Sequence, residues 1–148
     1  MFLSHRDDIA DHAAFAAKFH CKRTMHAADG AARLEIEEVV EGEEAFKLDD
    51  ELLVVPTPGH TRGHMVLLYR NKFLFTGDHL AWDPDAQSLA AFRDVCWYSW
   101  PEQTRSMQRL LDYGFEWVLP GHGRIHHESA ATMHSHLQRC VQQMKNMR

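Results

Sequence analysis

The 148-residue sequence has few cysteines, no excess of basic charge and no long apolar segment. Its three cysteines, Cys21, Cys96 and Cys140, have no Cys-x-x-Cys spacing, so the sequence predicts neither a disulfide framework nor a cysteine zinc knuckle. This usage favours a reducing setting, and we expect a cytoplasmic protein. No apolar run approaches the ~20 residues of a membrane span, and the N-terminus runs straight into a polar cluster, unlike a signal peptide. We therefore expect no membrane partner.

Acidic residues outnumber basic ones by 21 to 16, which gives a net charge of -5 and argues against nucleic acid as a partner. The length is that of one domain, and we assign residues 1–148 to it. The apolar fraction of 45% is ordinary for a globular chain.

Histidine is the residue that the chain has in excess, with twelve copies. His60 lies in a Pro- and Gly-rich break between two apolar runs, residues 52–55 and 65–69, which are typical of buried strands. Loops held between rigid strands commonly carry ligating and catalytic side chains. A histidine in a solvated turn would give the same local pattern, so His60 alone does not decide the function.

Three further loops offer the same residue types. Asp78 ends the next predicted strand, His122 follows a later one, and a polar cluster begins at His5. Histidine and aspartate bind borderline and hard divalent metals. Four such loops in one short chain favour a metal site over four unrelated turns.

These pieces resemble the motifs of the metallo-β-lactamase-fold hydrolases. The matching stretches are Pro58-Gly59-His60-Thr61, Thr76-Gly77-Asp78, Pro120-Gly121-His122-Gly123 and a variant of the family's His-x-His-x-Asp-His, His5-Arg6-Asp7-Asp8-Ile9-Ala10-Asp11-His12. Their order and approximate spacing match over essentially the whole chain, and in detail they look most like a glyoxalase-II-like branch. The resemblance implies an α/β (α+β) fold, an αββα sandwich. Because so little sequence precedes His5, we expect a single domain that is N-terminally truncated relative to the family, with an incomplete first sheet.

The resemblance also implies two divalent metal ions. Asp78 would bridge them, His5, Asp7 and His60 would hold the first, and Asp11, His12 and His122 would hold the second, with Asp11 also catalytic. The first motif has two extra residues and a carboxylate where the family has its second histidine. Either Asp7 or Asp8 can supply that ligand, and we prefer Asp7 because it keeps the i, i+2 spacing from His5. Zinc is the first expectation, while the added carboxylate makes iron or manganese alternatives.

The remaining histidines receive other roles. His64 and His26 are expected to orient loops or ligands by hydrogen bonds rather than to bind metal, and His79 either to contact substrate or support a ligand, or to pack in the interior. Exposed positions are predicted for the others, His20, His126, His127, His134 and His136.

The predicted function is a metal-dependent hydrolase, in which a metal-bound hydroxide attacks an ester, a thioester or a related small molecule. The alternatives are a diiron redox or oxygen-handling protein on the same fold and a non-catalytic metal-binding remnant. Nothing supports glutathione specificity, because Leu80-Ala81-Trp82-Asp83-Pro84 replaces the glycine- and aromatic-rich stretch of glyoxalase II. An exposed sheet edge makes a homo-oligomer a further expectation.

The secondary-structure pattern completes the prediction. Helices are expected at residues 11–19, from Ser99 to about Tyr113, and from Ser129 onwards. Residues 35–51 are expected to form an acidic edge hairpin, and residues 80–96 an irregular segment.

Overall fold

The structure is a computed structural model that describes residues 1–7 and 9–147. Within these residues the helices are α1 (His12–Phe19), α2 (Trp100–Arg109) and α3 (Ala130–Asn146). The strands are β1 (Thr24–His26), β2 (Glu38–Val40), β3 (Phe46–Lys47), β4 (Leu52–Pro56), β5 (Met65–Tyr69), β6 (Phe73–Gly77), β7 (Ala81–Asp83), β8 (Ser88–Ala90), β9 (Trp117–Pro120) and β10 (His126–His127).

The main sheet has six strands in the order β10-β9-β6-β5-β4-β3. All neighbours are antiparallel except β6 and β9, which run parallel. The β5–β6 connection, residues 70–72, is a tight turn in which Arg70 and Asn71 both have a positive φ, as the central residues of a type I′ turn do. Because β6 and β9 are parallel neighbours, the residues that follow them, Asp78 and His122, come out at the same edge.

Side chains alternate between the two faces of the main sheet, as the twofold period of a strand demands. Val55 and Val66 point to one face and pack with residues of α2 and α3, such as Met107 and Leu137. Val54 and Met65 point to the other face and form a separate apolar cluster with Val40 of β2. The main sheet is therefore covered on both sides.

The second sheet consists, in the described part of the chain, of the parallel pair β1 and β2. Phe2 adds an isolated parallel bridge to Thr24. A small core lies beside this pair and contains Leu3, Met25, Ala31 and Ile36. Helix α1 lies against the start of β1, where His12 Nδ1 is 3.1 Å from Arg23 Nη1. The sequence of layers is thus the expected helix, sheet, sheet, helix.

Two segments differ from their predictions. Residues 35–51 do not form a hairpin, because β2 pairs with β1 while β3 joins the edge of the main sheet. Residues 80–96 are not wholly irregular, because β7 and β8 form a small antiparallel hairpin. The turn residues Pro84 and Asp85 are typical of such a hairpin, but both strands have only three residues, which is below the length at which alternation is informative.

The predicted exposure of the C-terminal histidines is also wrong in part. His136 was predicted to be exposed, yet it is only 8% exposed and meets the Trp82 ring edge-on at 5.0 Å. His126 stacks on the same tryptophan. The prediction that His136 is exposed is wrong because β7 brings Trp82 onto the face of α3 that carries His136. In the part of the chain that the structure describes, we find no helix of the length and apolarity that crossing a membrane takes.

Candidate metal centre

The candidate site lies where three strand ends meet the N-terminal segment. His60 sits in the β4–β5 loop, Asp78 follows β6, and His122 follows β9. The N-terminal segment is fixed beside them by backbone hydrogen bonds, from Leu3 N to Thr24 O at 3.0 Å and from Met65 N to Ser4 O at 2.8 Å. The fold therefore brings together residues that are more than 100 positions apart.

Three of the predicted ligands form a compact group. One ligand atom each from His5, His60 and Asp78 lies within 4.8 Å of the others. Asp78 Oδ2 is 3.4 Å from His5 Nε2 and 3.8 Å from His60 Nε2. The two imidazole rings meet edge-on, with their centroids 4.8 Å apart. Both histidines are buried, whereas Asp78 is half-buried and reaches the cleft.

Two more predicted ligands flank this group. Asp7 Oδ2 is 3.3 Å from His60 Nε2, and His122 Nδ1 is 2.8 Å from Asp78 Oδ1. Asp7 and His122 line the same cleft as His60 and Asp78. Asp78 thus presents its two oxygens to different histidines, which is the arrangement expected of a carboxylate between two ion positions.

The structure does not bring the other predicted ligands into the group. Asp11 occupies the N-cap position of α1 with a φ of 58°, and its side chain is exposed. His12 lies within hydrogen-bond distance of Arg23, which is itself paired with Glu37. The ligand roles of Asp11 and His12, and the catalytic role of Asp11, stay predictions. Asp8, the alternative to Asp7, lies outside the described residues.

The buried nitrogen atoms around the group fit a bound cation. Among the described residues no hydrogen-bond partner is found for His5 Nε2, for either ring nitrogen of His60, or for His64 Nε2. A buried polar atom left unpaired costs about 1–3 kcal/mol, so several together are unfavourable unless they share a function. A divalent ion held by His5, His60 and Asp78 would satisfy His5 Nε2 and one ring nitrogen of His60, and the mixture of imidazole and carboxylate suits zinc, iron or manganese.

The electrostatics of the group favour the ligand forms of these side chains. Burial alone would raise the pKa of the Asp78 carboxyl, but the neighbouring His5 and His122 outweigh burial and lower that pKa to about 2. Burial, together with the nearby His5, lowers the pKa of His60. Near neutral pH, Asp78 is therefore anionic and His60 is neutral, as metal binding requires.

His64 and His79 are buried next to the predicted ligands. The rings of His5, His64 and His79 follow one another in stacked contacts, with centroids 5.2 Å and 5.1 Å apart. His64 Nδ1 is 3.0 Å from Thr57 Oγ1, and both histidines are fully buried. Burial lowers the pKa of His64 well below its usual value and that of His79 to about 3, so both rings are neutral. The supporting role expected of His64 and the supporting alternative for His79 stay predictions.

Gly77, directly before Asp78, has to be a glycine. Its φ is +51°, and a Cβ at this position would lie 2.7 Å from His64 Nε2 and 2.8 Å from Ser4 Oγ. The absent side chain lets the β6 end approach the stacked histidines closely.

Asp29 is a site residue that the sequence did not reveal. It is 2% exposed and lies in the single 3-10 turn after β1, Ala27–Asp29. Its carboxylate accepts hydrogen bonds from Arg6 N at 3.1 Å, Thr61 Oγ1 at 2.6 Å and Gly63 N at 2.7 Å. These donors flank His5 and His60, so one buried carboxylate ties the two ligand loops together. The dipeptide Asp29-Gly30 indicates a turn, but no local pattern indicates contacts more than 20 residues away.

The cleft in front of the group has a volume of about 570 Å³. This is within the range of small-molecule sites, roughly 300–1,000 Å³. Besides the predicted ligands, the cleft is lined by apolar residues, Leu80, Ala81, Phe92, Val95 and Trp97. Residues 80–96 were predicted to be irregular, and no role was assigned to any of these apolar residues.

Comparison with known proteins agrees with this architecture. No protein-family model matches the sequence. A 72-residue part of the chain, 49% of its length, is 35% identical to "Beta-lactamase-like protein 2 homolog" of Drosophila melanogaster. That match spans 22% of the relative's length.

Solved structures extend the likeness to most of the chain. The BLEG-1 B3 metallo-beta-lactamase is 21% identical, with a TM-score of 0.67 over 94% of this chain and 75% of that one. FIM-1 from Pseudomonas aeruginosa, solved in a mono-zinc form, is 14% identical, with a TM-score of 0.65 over 96% and 65% of the two chains. TTHA1623, solved in a di-iron-bound form, is 24% identical, with a TM-score of 0.56 over 85% and 70%.

Proposed function

The chain has the metallo-β-lactamase fold that its motifs indicate, and on this premise we propose that it is a metal-dependent hydrolase of small-molecule esters or thioesters. The observation that carries the proposal is the group formed by His5, His60 and Asp78. Its buried nitrogens His5 Nε2, His60 Nδ1 and His60 Nε2 have no hydrogen-bond partner among the described residues, and its carboxylate faces a cleft. A divalent ion bound there supplies a Lewis acid, which polarises a substrate carbonyl and lowers the pKa of water toward neutrality.

The side chains of this site have distinct tasks in the proposal. His5, His60 and Asp78 hold the first ion, and Asp7 completes its ligands from the cleft side. Asp78, kept ionised by its histidine neighbours, presents its second oxygen toward His122, where a second ion is placed. Buried His64 holds the stacked rings in place and takes no part in proton transfer at neutral pH.

Asp11 and His12 belong to the proposal as further ligands of the second ion, with Asp11 also catalytic. His12 would have to exchange its contact with Arg23 for the ion. The second ion is therefore expected to bind more weakly than the first, since its ligands are not assembled in advance.

Removal and return of metal tests the proposal. Protein purified without added metal is assayed for hydrolysis of p-nitrophenyl acetate and of a matching thioester, before and after dialysis against a chelator. We expect the rate to be lost with the metal and restored by zinc or manganese. A rate that survives complete removal of metal would contradict the proposal.

A diiron redox protein is the second candidate, and one observation favours it. Asp7 adds a carboxylate 3.3 Å from His60, and an extra anionic oxygen ligand makes the site harder and shifts it toward iron. One structural relative was solved with two irons. Iron that co-purifies and absorbs visible light would support this candidate, whereas colourless zinc protein with esterase activity would exclude it.

A further inference from the structure

The cleft beside the candidate metal centre is lined by two chemically different groups of residues. Four are polar and of the ligand type, Asp7, His60, Asp78 and His122. The others are apolar, and we call them the apolar wall and define it as Leu80, Ala81, Phe92, Val95 and Trp97. A substrate that fills the cleft must therefore meet polar, ligand-type side chains and apolar side chains at the same time.

The outer part of the apolar wall is exposed to an unusual degree. Phe92 is 44% exposed, Val95 40% and Trp97 62%, and all three fall within six residues of the sequence. Large apolar side chains that are gathered on a surface, rather than scattered, typically mark a binding site. Because these three face a cleft instead of open solvent, the binding partner is of small-molecule size.

The wall is attached directly to the loop that carries His60. Trp97 N and Tyr98 N donate to His60 O at 2.9 Å and 3.1 Å, and Ser99 N donates to Gly59 O at 3.0 Å. Cys96 Sγ also lies 3.2 Å from Gly59 O. The distance between the wall and the metal ligand is thus fixed by the backbone, which is what a specificity surface requires.

Charge limits what the cleft accepts. Neither lysine nor arginine occurs among the described residues that line it, while two carboxylates, Asp7 and Asp78, do. Arg93 lies within the wall segment, but its Nη1 donates to Met147 O at the end of α3, 3.2 Å away. An anionic group that a substrate places against the apolar wall, such as a phosphate or a second carboxylate, would therefore meet no lysine or arginine among the described residues of the lining.

We propose that the substrate is an uncharged ester or thioester whose acyl chain lies against Phe92, Val95 and Trp97 while its carbonyl faces His60 and Asp78. This inference rests on the proposed hydrolase function and adds the substrate class to it. In the reaction the water oxygen adds to the acyl carbon, and the C–O or C–S bond breaks. One water proton goes to the leaving alcohol or thiol, and the new carboxylic acid releases its proton to solvent at neutral pH.

The test compares p-nitrophenyl acetate, butyrate and hexanoate, which share one leaving group. Burial of each methylene against the wall should raise kcat/KM by up to about fourfold, so butyrate should exceed acetate by up to roughly 15-fold. The hemisuccinate ester, similar to butyrate in length but anionic, should be cleaved at least tenfold more slowly than butyrate. Rates that do not depend on chain length, or a preference for the hemisuccinate, would overturn the proposal.

Substitutions in the apolar wall test whether its side chains cause the dependence of the rate on acyl-chain length. Phe92→Ala and Trp97→Ala should lower kcat/KM for the hexanoate more than for the acetate, so that the gain per methylene falls, and Trp97→Phe should restore most of that gain. Phe15→Ala is the matched control, since Phe15 is 48% exposed but lies on α1 and does not line the cleft. An equal loss of chain-length dependence in Phe15→Ala would contradict the assignment of the wall.

A binding measurement separates this inference from the hydrolase proposal. Alkyl hydroxamates of two to eight carbons are titrated calorimetrically into zinc-loaded protein, where no turnover is needed. An affinity that rises with chain length and falls in Trp97→Ala supports the proposal that the apolar wall binds the acyl chain. If this is found and no ester is hydrolysed, only the proposed hydrolase function is wrong. If esters are hydrolysed, but neither the ester kcat/KM nor the hydroxamate affinity depends on chain length, the hydrolase function is supported and the proposed role of the apolar wall is wrong.

Discussion

Replacement of Asp29 by asparagine tests whether one buried carboxylate joins the two ligand loops. The amide has the same shape but only one acceptor oxygen. One carboxylate oxygen of Asp29 now accepts from Gly63 N, and the other from Arg6 N and Thr61 Oγ1. The Thr61 hydroxyl can turn round and accept a hydrogen bond, but a backbone N–H cannot. In either orientation of the amide, the N–H of Arg6 or of Gly63 therefore faces another donor.

The expected loss follows from this geometry. A buried donor without an acceptor costs about 1–3 kcal/mol, and the remaining bonds weaken because hydrogen bonds to a charged group are the stronger kind. We expect Asp29→Asn to lower the free energy of unfolding by about 2–4 kcal/mol. Metal affinity should fall as well, since the segments that carry His5 and His60 are no longer tied to each other.

Urea denaturation and a metal competition titration measure the two effects. Asp49→Asn is the matched control, because Asp49 also accepts two backbone N–H groups, from Glu51 and Leu52, but is exposed and lies at a turn that contributes nothing to the cleft. It should lose less than half as much stability and no metal affinity. An Asp29→Asn protein with unchanged stability and unchanged metal affinity would refute the reasoning.

Two further predictions concern the loss of stability at low pH and the self-association of the chain. Burial lowers the pKa of His79 to about 3, so between pH 6.5 and 3 the unfolded chain binds a proton that the folded chain does not, and stability is lost as the pH falls. Urea denaturation of metal-free protein should show a loss of ~1.4 kcal/mol from this residue alone between pH 7.5 and 5.5, and equal stability at both values would contradict the burial argument. We also propose that the open edge formed by β3, next to exposed Val39 and Leu48, supports a homo-oligomer. Sedimentation should then show association that rises with concentration and is abolished in Leu48→Lys, whereas a monomer at all concentrations would exclude it.

The parts of the site that the sequence predicted are those encoded by local pattern. His60, Asp78 and His122 each follow an apolar run that is long enough to indicate a strand, and the ends of neighbouring strands meet at one sheet edge. Position after a strand was therefore sufficient to predict that these three side chains lie together.

The parts that the sequence did not predict depend on contacts between distant segments. Asp29 is hydrogen-bonded to Thr61 and Gly63, which are more than 30 residues away in the sequence, and no pattern in the residues near Asp29 predicts these bonds. His136 looked like one of several exposed histidines, until the β7–β8 hairpin placed Trp82 against it. The apolar wall was missed because Phe92 and Trp97 lie in a stretch without periodicity, and only its hydrogen bonds to the His60 loop give it a place in the cleft.

The most direct measurement of the central claim is the metal content of four proteins that are purified identically and analysed for zinc, iron and manganese. Wild type should retain metal, whereas His60→Ala and Asp78→Ala should each lose most of it and still unfold cooperatively. His134→Ala, a histidine on α3 outside the group, should match wild type. Full metal content in both ligand variants, or loss of metal in His134→Ala, would show that the cation is held elsewhere and would contradict the account.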